Sequence, residues 1–479
     1  MKIYRKNYYK IIFLVLLCFT TTAYPQKLKW KTENGWALRE TSKGSEKYEK
    51  YFSLGVWGIP NYYHKVDNVT KDNSVVFLTE KTHFNTFVIQ PGMDLHDYLD
   101  HVTLFIGINS IPWAFDGLID NYDKMRKVLN LPESTKIDRI DNTLAYIYNV
   151  NKNRDFIWST IDEPADGSDG WSWNPSFTNT LYQRTKNITN NNLVFLNLTG
   201  SLRGNIHFFD KMHPIESTPD PLVFRDASLS NCKNRPEFYK CKFDGTPRFY
   251  CSGDGTKYFE REDSRQLSNY YYNTFYLAKD YKNSCDIIGI DAYDEFYTDP
   301  KTVGLAISAL KAGAGNKPVW IYFDGNGYFR NKNDDTPTII KNIKCQIYTA
   351  IINGATGVLF WNDLQKGTEV YNKTKMLADT LKLYDDIIKA DDITTNLNTD
   401  PLHWEANYNL DIQYVVKQKS NGKQYIIAVN RSSSVQTLDV NGFTVKSLQP
   451  FEVFISPGIP ENNQNVSLLS NGTNFVDCF

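Results

Sequence analysis

Between residue 51 and about residue 390 the chain alternates short apolar runs with stretches of helical periodicity, and this alternation restricts the fold more than any other feature. A strand, a helix and a second strand, repeated, bring each strand back parallel to the last with the helix as crossover. Eight strand runs are legible, at residues 52–58, 84–90, 102–108, 156–162, 193–198, 287–292, 318–323 and 357–361. Helical stretches stand between them at 115–129, 138–150, 176–186, 266–279, 302–312, 338–352 and 374–389. Several of the runs are almost continuously apolar, as strands buried on both faces must be. Eight such units predict a (β/α)8 TIM barrel, an α/β fold with its working groups at the carboxyl ends of the strands.

A barrel of this kind takes about 250 residues or more, and the chain has 479. Two segments account for much of the excess. Residues 199–263 are too long for an ordinary loop and hold Cys232, Cys241 and Cys251. They read as a Cys-containing excursion that shapes a cleft, since long loops in compact domains are usually functional. After Asp392 the pattern shortens to alternating runs at 410–416, 424–429, 435–438, 442–445 and 451–455, with turn pairs Asn421-Gly422 and Asn441-Gly442. This predicts a small antiparallel β-sandwich over 400–458, with an Asn- and Ser-rich tail at 459–479. The barrel is expected over 27–395.

The first 25 residues combine a basic start, an apolar run at 11–19 and a small-residue exit. That is the pattern of a secretory signal peptide. Cys18 follows Leu16 and Leu17 where a lipobox wants small residues, so no lipid anchor is expected. No later run is apolar enough to span a bilayer. The expected location is therefore secreted, periplasmic or at the cell surface. There, disulfides within the excursion are feasible, although their pairing is not fixed by spacing. Cys345 falls in a helical stretch and reads as a buried free thiol. A net charge of −1 supplies no basic field for a phosphate backbone, so nucleic acid is not an expected partner.

The strand ends carry the chemistry. The fourth ends in Asp162-Glu163-Pro164, the sixth in Asp291 followed by Tyr293, Asp294 and Glu295, the seventh in Asp324, and the eighth in Trp361 with Asp363 after it. Crowded carboxylates raise one another's pKa, so that one can donate a proton while another stays charged. Glycosidic cleavage needs that division of labour. An Asp after a strand also serves as a helix cap or turn residue. Glu163 fits that role less well, because Glu is a poor cap and Pro164 fixes the backbone behind it. No nucleophile elbow, phosphate-cradling glycine loop or dinucleotide fingerprint occurs. His and carboxylate spacings suggest no metal, and no cofactor is expected.

The segments Phe52-Ser-Leu-Gly-Val-Trp-Gly-Ile-Pro60, Asp162-Glu-Pro164, Asp286-Ile-Ile-Gly-Ile-Asp-Ala-Tyr293, Lys317-Pro-Val-Trp320 and Ile352-Asn-Gly-Ala-Thr-Gly-Val-Leu-Phe-Trp361 resemble the clan of barrel glycoside hydrolases with catalytic acids after strands 4 and 7. The likeness is to secreted bacterial members encoded with polysaccharide-utilisation genes, and it covers roughly residues 50–395. It implies a monomeric hydrolase acting on a carbohydrate, with Glu163 as acid/base. Asp162 stands where the clan has Asn, and Trp57, Asp162, Tyr293, Asp294, Glu295 and Trp361 would bind the sugar. The clan's strand-7 Glu is missing. Asp324 takes that place only with a shift of about one residue, which a bulge would accommodate, and Asp291 is the rival second carboxylate. Retaining and inverting mechanisms both stay open, as does the alternative of a non-catalytic carbohydrate-binding barrel.

Overall fold

A computed structural model of the chain describes residues 28–57, 83–89, 103–107, 139–152, 155–162, 164, 175–198, 224–226, 248–251, 257–261, 267–292, 300–324, 336–361, 369–400 and 403–458. The segment expected to be a signal peptide and the tail beyond 458 lie outside these residues, as does the predicted helix at 115–129.

The chain begins with an antiparallel sheet that sequence reading did not anticipate. Its strands are β1 (Trp30–Glu33), β2 (Trp36–Glu40) and β3 (Tyr48–Tyr51). Asn34 and Gly35 join the first two with φ of 51° and 77°, the paired positive dihedrals of a tight hairpin turn.

Eight parallel strands then close on themselves. They are β4 (Ser53–Trp57), β5 (Thr86–Ile89), β6 (Thr103–Gly107), β7 (Phe156–Asp162) and β8 (Val194–Leu198), then, after three strands of the excursion, β12 (Ile287–Ala292), β13 (Val319–Asp324) and β14 (Gly357–Trp361). Each pairs in parallel with its neighbours, and β14 pairs with β4 to shut the ring. Described helices follow six of the eight: α1 (Arg139–Asn151), α2 (Pro175–Ile188), α3 (Leu267–Tyr281), α4 (Pro300–Ala314), α5 (Thr336–Ile352) and α6 (Glu369–Leu383). The crossovers after β4 and β5 fall outside the described residues.

Strand alternation sorts the side chains. Ile157, Phe195, Ile287, Trp320, Tyr322 and Leu359 form a cluster inside the ring. Their chain neighbours Trp158, Leu196, Ile288, Ile321 and Phe360 join the larger core beneath the helices. Trp30, Ala37 and Tyr51 of the N-terminal sheet belong to the inner cluster, so this sheet plugs the ring. Several of its bonds reach residues just ahead of barrel strands. The Trp30 N–H donates to Asn191 O at 3.1 Å, the Gly35 N–H to Asn316 O at 3.0 Å, and the Trp30 indole to Asp155 at 2.5 Å. Arg39 pairs with the same Asp155 at 2.7 Å. The amino end is therefore sealed, and access is left to the carboxyl end.

The excursion between β8 and α3 contains a second antiparallel sheet, ordered β10-β11-β9, from β9 (Phe224–Asp226), β10 (Arg248–Cys251) and β11 (Lys257–Arg261). Cys232 and Cys241 lie outside the described residues. Cys285 and Cys345 are buried and in no disulfide, as expected for Cys345.

The C-terminal part holds two antiparallel sheets. A four-stranded sheet runs β15 (Asp391–Thr395), β16 (Ile412–Gln418), β17 (Gln424–Asn430) and β20 (Val453–Pro457), beside a ribbon of β18 (Gln436–Leu438) and β19 (Lys446–Leu448). One face, with Ile426 and Ala428, packs on the ribbon. The other, with Val415, Ile427, Val429 and Val453, is continuous with the barrel's helical core. The run expected as a strand at 442–445 is mostly turn. Gly442 has φ of 83°, and the Phe443 N–H reaches back to Val440 O at 3.0 Å. Among the described residues no helix is long and apolar enough to cross a membrane.

Candidate active site

The groups that can meet a substrate are those at the carboxyl ends of the ring strands. Around the ring, β7 comes first. Its ladder with β8 runs Trp158↔Val194 and Ser159↔Phe195, then resumes at Asp162↔Asn197. Three steps on β7 match two on β8, so one extra residue forms a bulge. A strand's faces alternate with period two, so an unbroken strand would set Asp162 out of step with the inward residues Ile157 and Ser159. The bulge restores it to the step of Asn197.

Asn197 shares the inward face of Phe195 and is 3% exposed, while Asp291, at the end of β12, is 4% exposed. The Asn197 amide Nδ2 donates to Asp291 Oδ1 at 2.7 Å. Between them on β12 lies Gly289, the Cα partner of Asn197. A Cβ at 289 would stand 2.4 Å from Phe195 Cζ and 3.2 Å from Asn197 Oδ1. The missing side chain is what allows the phenyl ring and the amide to lean over β12, and so brings the amide to the carboxylate.

Below this pair the ring is filled with aromatics. Phe195 meets Trp320 at 5.7 Å and Tyr322 edge-on at 6.0 Å between centroids, and Tyr322 is the Cα partner of Asp291. Above it, Asp324, Trp361 and Trp57 form one row of Cα partners across β13, β14 and β4. The β13 ladder is unbroken through Asp324, so no bulge shifts that strand, and position 324 keeps the step of Trp320 and Tyr322. Asp324 lies two residues beyond Tyr322, and Asp291 is therefore one pleat deeper than Asp324. Trp361 is 43% exposed, an indole at the rim that offers an apolar face beside polar groups.

Of the residues singled out from sequence, Asp291 and Trp361 are thus described with their side chains, and Trp57, Asp162 and Asp324 by strand register. Glu163, Tyr293, Asp294 and Glu295 lie outside the described residues. Sequence reading passed over Asn197. Its signal was available: a lone amide inside the apolar run Leu193-Val-Phe-Leu-Asn-Leu198, in step with Leu193 and Phe195.

Comparison with protein-family models finds no match, and none of the curated proteins matches. Solved structures similar to the chain are glycoside hydrolases of several kinds. An α-amylase from Anoxybacillus is 8% identical, covering 86% of this chain and 98% of that one, with a TM-score of 0.43. An endo-β1,6-glucanase is 10% identical, covering 90% and 95%, with a TM-score of 0.40. An endocellulase from Pyrococcus horikoshii is 11% identical, covering 74% and 100%, with a TM-score of 0.38. The barrel itself is carried by the eight parallel pairings of its ladder rather than by these scores.

Proposed function

We propose that the chain is a secreted (β/α)8 glycoside hydrolase that cleaves a glycosidic bond of an oligosaccharide or polysaccharide by carboxylate acid/base catalysis. The observation that carries this reading is the Asp291 carboxylate, buried inside the ring and held by Asn197 at 2.7 Å. It lies one pleat below the row of Asp324, Trp361 and Trp57. Burying a charge is costly unless it is paired and bonded, so an acid held here calls for a role. A cationic transition state at the mouth gives it one.

Glu163 follows directly on Asp162 and takes the role of proton donor. As the bond from the anomeric carbon to the leaving oxygen breaks, its proton passes to that oxygen. The positive charge spread over the ring oxygen and anomeric carbon is then met by carboxylates. Asp324 at the rim is the second carboxylate, attacking the anomeric carbon or taking a proton from the incoming water, and Asp291 supplies negative charge from beneath. Water ends as hydroxyl on the anomeric carbon; its proton goes to Glu163 where Asp324 has attacked the carbon, or to Asp324 where Asp324 is the base, which then returns it to solvent as Glu163 is reprotonated. Trp57 and Trp361 stack on the sugar's apolar face, while Asp162, Tyr293, Asp294 and Glu295 bind its hydroxyls. Reducing-end release from a panel of α- and β-linked glycans tests this reading. Wild-type protein is expected to release sugar, and Glu163→Gln to lose at least about 10²-fold. Binding without release by wild type across the panel would make the barrel a carbohydrate-binding protein and overturn the reading.

A further inference from the structure

We infer that Asn197 is a positioning residue of this site, locking the Asp291 carboxylate in a single orientation inside the ring. The inference rests on the glycosidase reading and goes beyond it by giving a task to an uncharged residue that the sequence reading passed over.

Three observations support it. The first is that an amide at 197 is expensive for the fold. The position is 3% exposed and lies in a strand otherwise made of Val, Phe and Leu, where an apolar side chain would bury at no polar cost. The second is that the space around the amide is adapted to it. Gly289 gives up its side chain chiefly to the Phe195 ring, which would lie 2.4 Å from a Cβ, and Asn197 Oδ1, 3.2 Å from the same point, shares that space beside β12. The third is that the β7 bulge sets Asp162 as the Cα partner of Asn197 on its other side. Asn197 therefore stands in the ring between the strand positions of two acids.

The choice of an amide is also informative. Nδ2 donates a hydrogen bond but carries no charge, so it orients the carboxylate without cancelling it. A lysine or arginine at 197 would hold Asp291 as firmly and remove the negative charge that an oxocarbenium-like transition state needs. Orientation is the variable at stake, because displacing a catalytic group by about 1 Å can cost on the order of 10²-fold.

The test compares three proteins on the glycan that wild type cleaves. Asn197→Ala is expected to fold and to lower kcat about 10- to 100-fold, with KM changed by less than about threefold, since the loss lies in transition-state geometry. The exchanged pair, Asn197→Asp with Asp291→Asn, keeps one amide and one carboxylate in contact and should melt within a few degrees of wild type. Its carboxylate sits on β8, so its kcat is expected to fall at least about 10²-fold. If Asn197→Ala does not fold, the exchanged pair decides. Wild-type kcat in folded Asn197→Ala, or in the exchanged pair, overturns the inference. Absence of turnover in wild type is a different failure, because it removes the glycosidase reading beneath it.

Discussion

Ile427 is fully buried at the middle of β17 and faces the barrel's helices, whereas Ile426 beside it faces the β18–β19 ribbon. If the C-terminal sheet completes the barrel's core, Ile427→Ala should destabilise the whole molecule. The change removes three carbons, worth about 0.8 kcal/mol each in transfer, or about 2.4 kcal/mol. A cavity that keeps about 50 Å³ after relaxation adds about 1.2 kcal/mol, for an expected loss of about 3.5 kcal/mol. Urea unfolding can be followed by tryptophan fluorescence, which reports on the fully buried barrel residues Trp158 and Trp320, and by far-UV circular dichroism. Both probes should shift to lower urea together. A barrel fluorescence transition that stays in place while a separate, smaller transition moves would show two independent units and refute the reasoning.

Gly289→Ala should cost about 1–3 kcal/mol or more, because the new methyl meets the rigid Phe195 ring at 2.4 Å rather than a flexible side-chain end; thermal melting checks it. Cys285 and Cys345 should resist thiol reagents in the folded protein and react after denaturation, as peptide mass spectrometry would read. Burial pushes the Cys285 thiol up to about 12, which leaves little thiolate for reaction. Lys417 is buried, and burial pulls its ammonium below the usual lysine range against the opposing pull of Asp392. The unfolded chain then holds that proton more tightly than the folded one, so this residue's contribution to stability rises with pH through the window below the ordinary lysine value. Lys417→Met should remove that slope and be neutral or stabilising by about 1–2 kcal/mol, as melts at several pH values would show.

Most of the ring was legible because strands buried on both faces leave apolar runs, and the boundaries of β7, β12 and β14 coincide with those runs. The N-terminal sheet was missed although Asn34-Gly35 marks its turn. Its strands interleave Lys31, Glu33, Arg39 and Glu40 with only a few apolar residues, so the pattern resembles a loop. The partner of the C-terminal sheet was not written in any one strand's alternation. The run at 424–429 reads as alternating, although Ile426–Val429 is continuously apolar and buried, and nothing in it tells that one side meets a barrel helix. At the site, aspartates at strand ends were readable by type and position. The bulge between Ser159 and Asp162 was not, since Thr160 and Ile161 fit a regular strand. It shifts the register at which Asp162 pairs, and only the ladder with β8 reveals it.

The proposed role of Glu163, donating a proton to the leaving oxygen, is read out by leaving-group dependence. Glu163→Gln should hydrolyse the natural glycan at least about 10²-fold more slowly than wild type. It should cleave a dinitrophenyl glycoside of the same sugar at a rate near wild type, because that leaving group departs without a proton. An equal loss on both substrates, or full activity on the natural glycan, would contradict the account.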